Sequence, residues 1–291
     1  MTTFLVGVLA LLGSGVTIGI ALCAASMVYI YFDPMLDAQT VGQSFFAFLG
    51  SYSLMAVPLF IFAGFLMERT GMVRQLFQFA ESLVSWIRGG FGLATVSTCV
   101  MFSAISGSSV AVASAMSLIA IPEMRKRKYP DWMSAGIVAS GGGIGLLIPP
   151  SLSLIIYGVA TETSIVRLFM AGVVPGLLLA FGMYLIIIIA ASRVSTLVPG
   201  KFDIAVLVKS TWSALPGLGM PVLVLGGLYG GLFTPTEAAA AACGYALLYG
   251  LTSKRGEFLR ELLPVAARSM NLTAVVFFLV GSVGVFQFVA A

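Results

Sequence analysis

Two long apolar segments of this chain are each interrupted near the middle by small and polar residues. The uncharged segment 89–122 contains the run SGSS at 106–109, and the segment 132–160 contains a break at 141–150 that ends in two prolines. A membrane offers no water to free backbone N–H and C=O groups, so irregular backbone at that depth lies inside protein or lines a cavity. Paired interruptions indicate the ion and substrate site of a transporter, although flexible kinks between ordinary helices would give the same pattern.

The composition places these segments in a membrane. Of the 291 residues, 59% are hydrophobic and only 9% are charged, whereas about a quarter of the residues in a soluble domain are charged. The absence of histidine excludes histidine metal sites and a Ser–His catalytic pair, and the net charge of +4 does not indicate nucleic-acid binding. The three cysteines follow no pairing pattern, which predicts buried free thiols. We therefore predict an all-α polytopic membrane protein.

Hydropathy divides the chain into spans and connectors. Residues 3–32 and 43–67 are each long enough to span a bilayer, which needs about 20 residues. In 68–90, apolar residues recur at helical spacing between polar ones, which predicts an amphipathic helix along the membrane surface. Residues 91–122 predict a re-entrant hairpin of two half-length helices, and 132–160 a broken helix. The remaining segments are spans at 168–192, 212–229, 235–251 and 267–291, and an amphipathic connector at 201–209.

The basic residues orient the chain, because they favour cytoplasmic loops. If the chain starts on the cytoplasmic side and 106–109 turns back without crossing, every Lys and Arg except Arg167 lies in the cytoplasm. The same holds if the hairpin crosses twice, so the charges leave its depth open. The four basic residues at 125–128 favour a topology signal over a lipid-specific site, although such a cluster also attracts anionic lipid.

An internal repeat connects the two ends of the chain. In one shared register, residues 56–60 resemble residues 274–278, and residues 17–24 align with residues 235–242. The charges orient the two copies in opposite directions, which is the inverted repeat frequent in secondary transporters. The second copy stops where the first enters its surface helix. We therefore expect the second hairpin and the second broken helix to be missing from these 291 residues.

The spans and the repeat together divide the chain into five regions. Residues 1–67 hold the scaffold helices of repeat one, and 68–90 form the surface helix. Residues 91–166 form half of a transport domain, with the hairpin and the broken helix. The last two regions are the connecting transmembrane helices at 167–232 and the scaffold helices of the incomplete repeat two at 233–291.

Several runs of residues resemble one transporter family. They are SAISGSSVA at 103–111, GLLIPPSLSLIIYG at 145–158 and GGLFTPTEAAAAA at 230–242. They occur in the order and spacing of the large, DctM-like membrane subunit of TRAP transporters, the tripartite ATP-independent periplasmic transporters. The likeness runs from about the second span to the C-terminus, with a weaker match in the first helix.

The resemblance implies an elevator-type secondary transporter of the bacterial inner membrane that imports an organic acid, such as a C4-dicarboxylate or a sialic-acid-like carboxylate. It implies a sodium gradient as the driving force, with Na⁺ as the coupling ion and no other cofactor. The implied partners are a small DctQ-like membrane subunit, separate or fused, and a DctP-like periplasmic binding protein that delivers the substrate. Membrane lipid surrounds the chain, and no nucleic acid is involved.

The resemblance also places a sodium site on the two interruptions. The hairpin-tip serines of the family correspond to Ser106 and Ser108, and the backbone of its broken helix corresponds to Gly145, Ile148 and Pro150. Na⁺ is a hard cation that prefers oxygen ligands, and both unwound backbone and serine hydroxyls supply them. Alternatively, serines in membrane helices bond back to the preceding turn or join helices.

A substrate carboxylate is expected beside this sodium site. Half-helix N-termini begin near Ser109 and Ser151 and attract anions, and Pro149 adjoins the second of them. The chain departs from the family at Val112, where members often carry Asp or Thr, so the substrate class stays open. Glu237 follows a proline near a helix start, which favours a capping role over ion binding.

Two alternatives to a sodium-coupled importer subunit remain. One is a truncated, non-transporting fragment of such a permease, since half of the transport domain is expected to be missing. The other is an intramembrane enzyme with Ser106 or Ser108 as nucleophile, but no histidine, lysine or acid lies in the hairpin to activate a serine. We therefore predict that the chain is not an enzyme.

Overall fold

The computed structural model describes residues 2–32, 38–200, 202–253 and 255–290. Within these ranges all regular secondary structure is helical, as predicted, and it forms two compact units, Met1–Met55 with Met270–Ala291 and Ala56–Ser269. One 3-10 turn lies at Tyr52–Met55. The α-helices are α1 (Thr2–Gly13), α2 (Ile18–Phe32), α3 (Ala38–Leu49), α4 (Ala56–Thr70), α5 (Met72–Val84), α6 (Gly90–Ser106), α7 (Ser109–Lys126), α8 (Asp131–Ile144), α9 (Leu152–Ala160), α10 (Ile165–Arg193), α11 (Ile204–Tyr229), α12 (Pro235–Ser253) and α13 (Arg255–Ala290).

The first unit begins with a helical hairpin. Residues 14–17 separate α1 from α2, and Gly15 has a φ of +85° there. The two helices pack side by side, because the ring centroid of Phe4 lies 5.5 Å from that of Tyr29. The single span predicted over 3–32 is therefore wrong. A glycine with positive φ reverses the chain inside a run that carries no charge to mark the turn.

The rest of the first unit consists of α3 and the last part of α13. Glycines on α13 let aromatic rings of α3 approach its backbone closely. A Cβ atom added at Gly281 would lie 2.5 Å from the Phe45 ring, and one added at Gly284 would lie 2.8 Å from the Phe48 Cβ. These glycines therefore set the spacing of the two helices.

The span predicted over 43–67 is also interrupted. The chain leaves α3 at Leu49, makes the 3-10 turn and enters α4 at Ala56. This start places Pro58 in the first turn of α4, where the N–H that proline lacks would have no helical partner. The prediction of one continuous helix is therefore wrong, and the position of the proline explains why the second helix starts where it does.

The second unit is built around the contact between α4 and α12. Alanines lie on both faces, and Ala63, Ala239 and Ala246 are fully buried. The Cys243 thiol donates to the Leu59 carbonyl oxygen over 3.0 Å. All three cysteines are free thiols, two of them buried and one partly buried. Small side chains therefore let the two helix backbones lie close together.

A capping box starts α12. The backbone N–H and the hydroxyl of Thr234 each donate to Glu237 Oε2 over 2.8 Å, and the Glu237 N–H donates to Thr234 Oγ1 over 3.3 Å. Pro235 occupies the first helical position, where proline is favoured. The capping role predicted for Glu237 is confirmed.

The amphipathic helix predicted over 68–90 is α5, which is shorter than predicted, because residues 68–70 complete α4 and α5 ends at Val84. Its apolar face is buried against α6 and α11, and a Cβ atom added at Gly217 of α11 would lie 3.0 Å from the Leu76 side chain. Two polar side chains also join α5 to α11, because the hydroxyls of Ser82 and Ser210 lie 2.7 Å apart. The helical periodicity is confirmed, while the position of α5 along a membrane surface stays a prediction.

The amphipathic connector predicted over 201–209 belongs mostly to a longer helix. α11 begins at Ile204, where Asp203 Oδ1 accepts hydrogen bonds from the backbone N–H groups of Ala205 over 2.8 Å and Val206 over 3.4 Å. The helix then continues to Tyr229, so no boundary separates connector and span. An aspartate cap followed by helix-forming residues explains the continuity. Lys201 lies outside the described residues.

The helices also have the length and composition of membrane spans. Four stretches in the described part of the chain are long and apolar enough to cross a bilayer: Tyr52–Thr70, Ile165–Arg193, Ile204–Tyr229 and Phe258–Val289. Shorter apolar helices accompany them at Phe4–Gly13, Ile18–Phe32 and Gly90–Ser106. The chain is an all-α polytopic membrane protein. The division into scaffold and transport regions stays a prediction.

Candidate ion and substrate site

The hairpin tip joins α6 to α7 through two residues. Gly107 follows α6 with a φ of +59°, and Ser108 is extended and caps α7, where its hydroxyl accepts from the Ala111 N–H over 3.4 Å. A Cβ atom added at Gly107 would overlap the carbonyl oxygen of Pro150. Both the left-handed conformation and this close approach require glycine. The tip lies where the sequence interrupts the apolar segment.

The second interruption was predicted at 141–150, but it separates α8 from α9 at residues 145–151, because residues 141–144 still belong to α8. The peptide bond between Pro149 and Pro150 is cis. Among the described residues no hydrogen bond reaches the carbonyl oxygens of Gly145, Ile148 and Pro150. These carbonyls lack partners because the two prolines supply no N–H and because α8 ends here, where helix carbonyls have no N–H ahead of them. These carbonyls are the ones that the sequence analysis assigned to sodium.

The tip and the break touch each other. The Leu152 N–H, at the start of α9, donates to the Gly107 carbonyl oxygen over 3.0 Å. A Cβ atom added at Gly145 would lie 3.1 Å from both the nitrogen and the Cα of Ser109. Backbone therefore meets backbone at two points, so the sodium-assigned residues of both interruptions lie in one region.

Neighbouring helices enclose this contact through further glycines. On α10, a Cβ atom at Gly172 would lie 2.5 Å from the Leu147 carbonyl oxygen, and one at Gly176 would lie 2.6 Å from the Ile148 side chain. On α4, a Cβ atom at Gly64 would lie 3.0 Å from the Ser106 Cβ. Substitution at any of these glycines would displace the tip or the break.

Two serine hydroxyls at the end of α6 are buried without a partner. Ser106 is 1% exposed and Ser103 is 0% exposed, and neither hydroxyl has a hydrogen-bond partner. A buried hydroxyl without a partner costs about 1–3 kcal/mol, so such groups usually mark a bound water, an ion or a functional role. The sequence analysis named Ser106 but missed Ser103. The signal was present, because residues three apart share a helix face.

The residues predicted to face a substrate occupy different environments. Ser109 is partly exposed and is the first residue of α7, whereas Pro149 and Ser151 are buried. The Ser151 hydroxyl donates to the Leu146 carbonyl oxygen over 2.7 Å. Val112 is fully buried. Ser109, Pro149 and Ser151 thus all lie at the contact between the tip and the break, and the Ser151 hydroxyl already donates a hydrogen bond within the break.

None of the residues predicted to bind the ion or the substrate carries a carboxylate. In the described ranges no group of three or more His, Cys, Asp or Glu side chains comes together. The available donors are neutral hydroxyls and carbonyls, which suit a hard monovalent cation. The two helix N-termini that begin here add partial positive charge, which suits an anion.

Comparisons with known proteins identify the family. The chain matches the family described as "Tripartite ATP-independent periplasmic transporter, DctM component" over residues 5–291. The C4-dicarboxylate TRAP transporter large permease protein DctM of Pseudomonas aeruginosa is 41% identical over 238 residues, which cover 82% of this chain and 56% of that protein. The sialic acid TRAP transporter large permease protein SiaM of Vibrio cholerae is 34% identical over 285 residues, which cover 98% of this chain and 67% of that protein.

The name of a third relative, DctMQ, joins two letters, M and Q. The isethionate TRAP transporter permease protein DctMQ of Oleidesulfovibrio alaskensis is 40% identical over 242 residues, which cover 81% of this chain and 37% of that protein. The chain thus spans between 37% and 67% of the length of these three relatives. The resemblance seen in the motifs is confirmed. The chain belongs to the DctM family of TRAP transporter large permeases, which is a family of transport proteins and not of enzymes.

Proposed function

We propose that this chain supplies a sodium site and part of an organic-acid site in a secondary transporter of the bacterial inner membrane. The observation that carries the proposal is the contact between the hairpin tip and the broken helix. Backbone carbonyls without hydrogen bonds lie in the break, and the tip that touches the break begins at Ser106, whose buried hydroxyl has no partner. Groups of this kind have a high cost unless a ligand satisfies them.

Na⁺ is the ligand that fits these groups best. The Ser106 hydroxyl and the carbonyls of Gly145, Ile148 and Pro150 would hold it, and Ser108 would join after releasing its weak cap to α7. All of these ligand atoms are oxygens, which a hard cation prefers, and their neutrality suits a monovalent ion. Bound Na⁺ would supply the positive charge that holds the tip against the break.

An anionic substrate would lie at the helix N-termini beside the ion. α7 and α9 both begin at the contact, and first-turn N–H groups lack helical partners. Because the Ser151 hydroxyl already donates to Leu146, we expect the carboxylate to take backbone N–H groups of these turns and the Ser109 side chain. The negative charge of the substrate would then stabilise Na⁺ binding, and each ligand would raise the affinity for the other.

The names of the relatives indicate the class of substrate and the assembly. Two of them name transporters of a C4-dicarboxylate and of sialic acid, which are carboxylic acids. We infer a carboxylate substrate imported with a sodium gradient through an elevator motion. The family description names a tripartite, periplasmic system, and the name DctMQ of one relative joins the letter of the DctM component to a second letter, Q. We therefore infer a DctQ-like small membrane subunit and a DctP-like periplasmic binding protein as partners.

Sodium binding can be tested on the purified chain. We expect NaCl to raise the melting temperature relative to equal KCl, because a ligand present at about 100 times its Kd stabilises a protein by about 2.7 kcal/mol. Ser106→Ala should reduce this sodium response. Ser117→Ala is the matched control, since the Ser117 hydroxyl on α7 already donates to the Ser114 carbonyl over 2.7 Å. Equal stabilisation by both salts, or an equal response in both variants, would contradict the proposed site.

Coupling to transport needs a separate experiment. The permease assembled with its partner subunits in liposomes should accumulate substrate only when the external sodium concentration exceeds the internal one. Equal uptake after potassium replaces sodium on both sides would rule out sodium as the driving ion, whatever the binding experiment shows.

A further inference from the structure

A groove of the second unit lies between α8 and α10, away from the tip–break contact. It has a volume of about 180 Å³, and small residues form much of its wall, among them Gly136, Ser140 and Ala190. Trp132 lies at one end and Met183 lines the opposite helix. The lining is mostly apolar, so the groove suits a hydrocarbon chain.

The Trp132 end of the groove lies where α8 begins and α10 ends. The Thr196 hydroxyl, just beyond α10, donates to the Lys128 carbonyl oxygen, just before α8, over 3.1 Å. The Arg88 guanidinium donates to the Val194 carbonyl oxygen over 3.0 Å. The two hydrogen bonds place Arg88 and Lys128 beside the segment that follows Arg193, at the end where α8 begins and α10 ends.

The cations at this end outnumber the carboxylates. Arg125 pairs with Asp131 over 2.9 Å, and Arg127 pairs with Glu81 and Glu123. In the described part of the chain, Arg88, Lys128 and Arg193 form no ion pair with any carboxylate. The acids that face this end are therefore already used, and unpaired positive charge remains beside the mouth of the groove.

We propose that the groove binds an anionic glycerophospholipid, with one acyl chain between α8 and α10 and the phosphate at Lys128 and Arg193. An apolar groove that ends at unpaired cations matches the two parts of such a lipid. A partner helix, about 10–12 Å in diameter, is too wide to enter a groove of about 180 Å³. A soluble anion would leave the apolar groove unfilled. The site is independent of the sodium site.

Trp132 provides a direct reporter of the occupant. In a Trp86→Phe, Trp212→Phe background it is the only tryptophan, since the chain has three. The chain is reconstituted in phosphatidylcholine bilayers that contain increasing fractions of either brominated phosphatidylglycerol or brominated phosphatidylcholine, whose acyl chains quench tryptophan on contact. We expect the anionic lipid to reach half-maximal quenching at a fraction at least about fivefold lower, the preference that one nearby cation supplies.

Variants separate the headgroup from the acyl chain. Lys128→Asn with Arg193→Gln should abolish the preference for the anionic lipid, whereas Arg167→Gln, at the opposite end of α10, should keep it. Asparagine suits position 128 because φ is +60° there. Equal quenching by both lipids in the parent chain, or loss of the preference in Arg167→Gln, would overturn the proposal.

A second variant tests the groove itself. Gly136→Leu should lower quenching by both lipids, because a Cβ atom at Gly136 meets nothing within 4 Å and a leucine fits into the groove without displacing protein. Gly244→Leu is the matched control, since its Cβ atom also meets nothing and α12 packs mainly on α4 and α11. Unchanged quenching in Gly136→Leu would place the lipid outside the groove and overturn the proposal.

Discussion

Gly107→Ala is the most informative single change at the hairpin tip. Alanine in the left-handed region costs about 1–2 kcal/mol. Its Cβ atom would also overlap the Pro150 carbonyl oxygen, so the tip must move away from the break. That movement breaks the 3.0 Å hydrogen bond from the Leu152 N–H to the Gly107 carbonyl oxygen and the packing beside it. The hydrogen bond alone contributes about 1 kcal/mol. We expect a total loss of about 3 kcal/mol in the free energy of unfolding.

The same change should weaken sodium binding. Because the proposed ligands lie on both the tip and the break, ion binding must close the separation that alanine imposes. A cost of about 2 kcal/mol for restoring the contact lowers the affinity roughly thirtyfold. The assay is the melting temperature measured against increasing NaCl at constant total salt, from which the apparent Kd follows.

Gly71→Ala isolates the steric effect. Gly71 also has a positive φ, of 85°, but a Cβ atom added there meets nothing within 4 Å. It should therefore lose only the conformational cost of about 1–2 kcal/mol and keep the sodium response of the parent chain. If both alanine variants lose equal stability and bind sodium equally, the close approach of tip and break does not build the site.

Five other substitutions test the surrounding structure by thermal unfolding. Gly143→Ala should be neutral or stabilise α8 by up to about 1 kcal/mol, because alanine favours helix and its Cβ atom meets nothing within 4 Å. Gly142→Ala should destabilise the protein, because the new Cβ atom would lie 2.8 Å from a side chain of α7. Equal effects of the two substitutions would contradict this packing. Thr234→Ala removes the N-cap of α12 and should cost about 1 kcal/mol; an unchanged melting temperature would show that the cap is not needed. Arg127→Gln should destabilise the protein more than Arg125→Gln. Arg127 pairs with two carboxylates and lies 4.2 Å from the centroid of an aromatic ring, whereas Arg125 has one exposed ion pair. A larger loss in Arg125→Gln would refute the reasoning.

The interruptions at the tip and the break were visible in the sequence because they depend on local chemistry. Runs of serine, glycine and proline weaken helices, so interruptions were predicted at 106–109 and 141–150 from residue type. The cap at Thr234 was visible for the same reason. The second interruption begins later than predicted, at 145, because the glycine-rich run at 140–143 remains helical within α8 and the two prolines mark the actual break. The sequence could not reveal that the Leu152 N–H donates to the Gly107 carbonyl oxygen, because that bond joins residues far apart in the chain.

The errors in the sequence analysis have a different origin. Hydropathy finds where a chain is apolar, and residues 3–32 are apolar on both sides of the turn that divides them. The turn itself was marked by Gly13 and Gly15, but a single glycine also occurs inside continuous membrane helices. The three-residue spacing places Ser103 on the same helix face as Ser106, but only the structure shows that its hydroxyl is buried without a partner.

The glycines around the site explain how neutral groups can build a cation site. Each glycine removes a side chain at a point where two backbones meet, so carbonyls from the break approach the tip without steric conflict. In the proposed site, the free carbonyls and the Ser106 hydroxyl would gain a partner when Na⁺ binds, and their cost without a ligand would favour separation of tip and break when the ion leaves. Sodium affinity and tip closure would then be one equilibrium, and a substitution that opens the tip is expected to weaken sodium binding even where it touches no ligand.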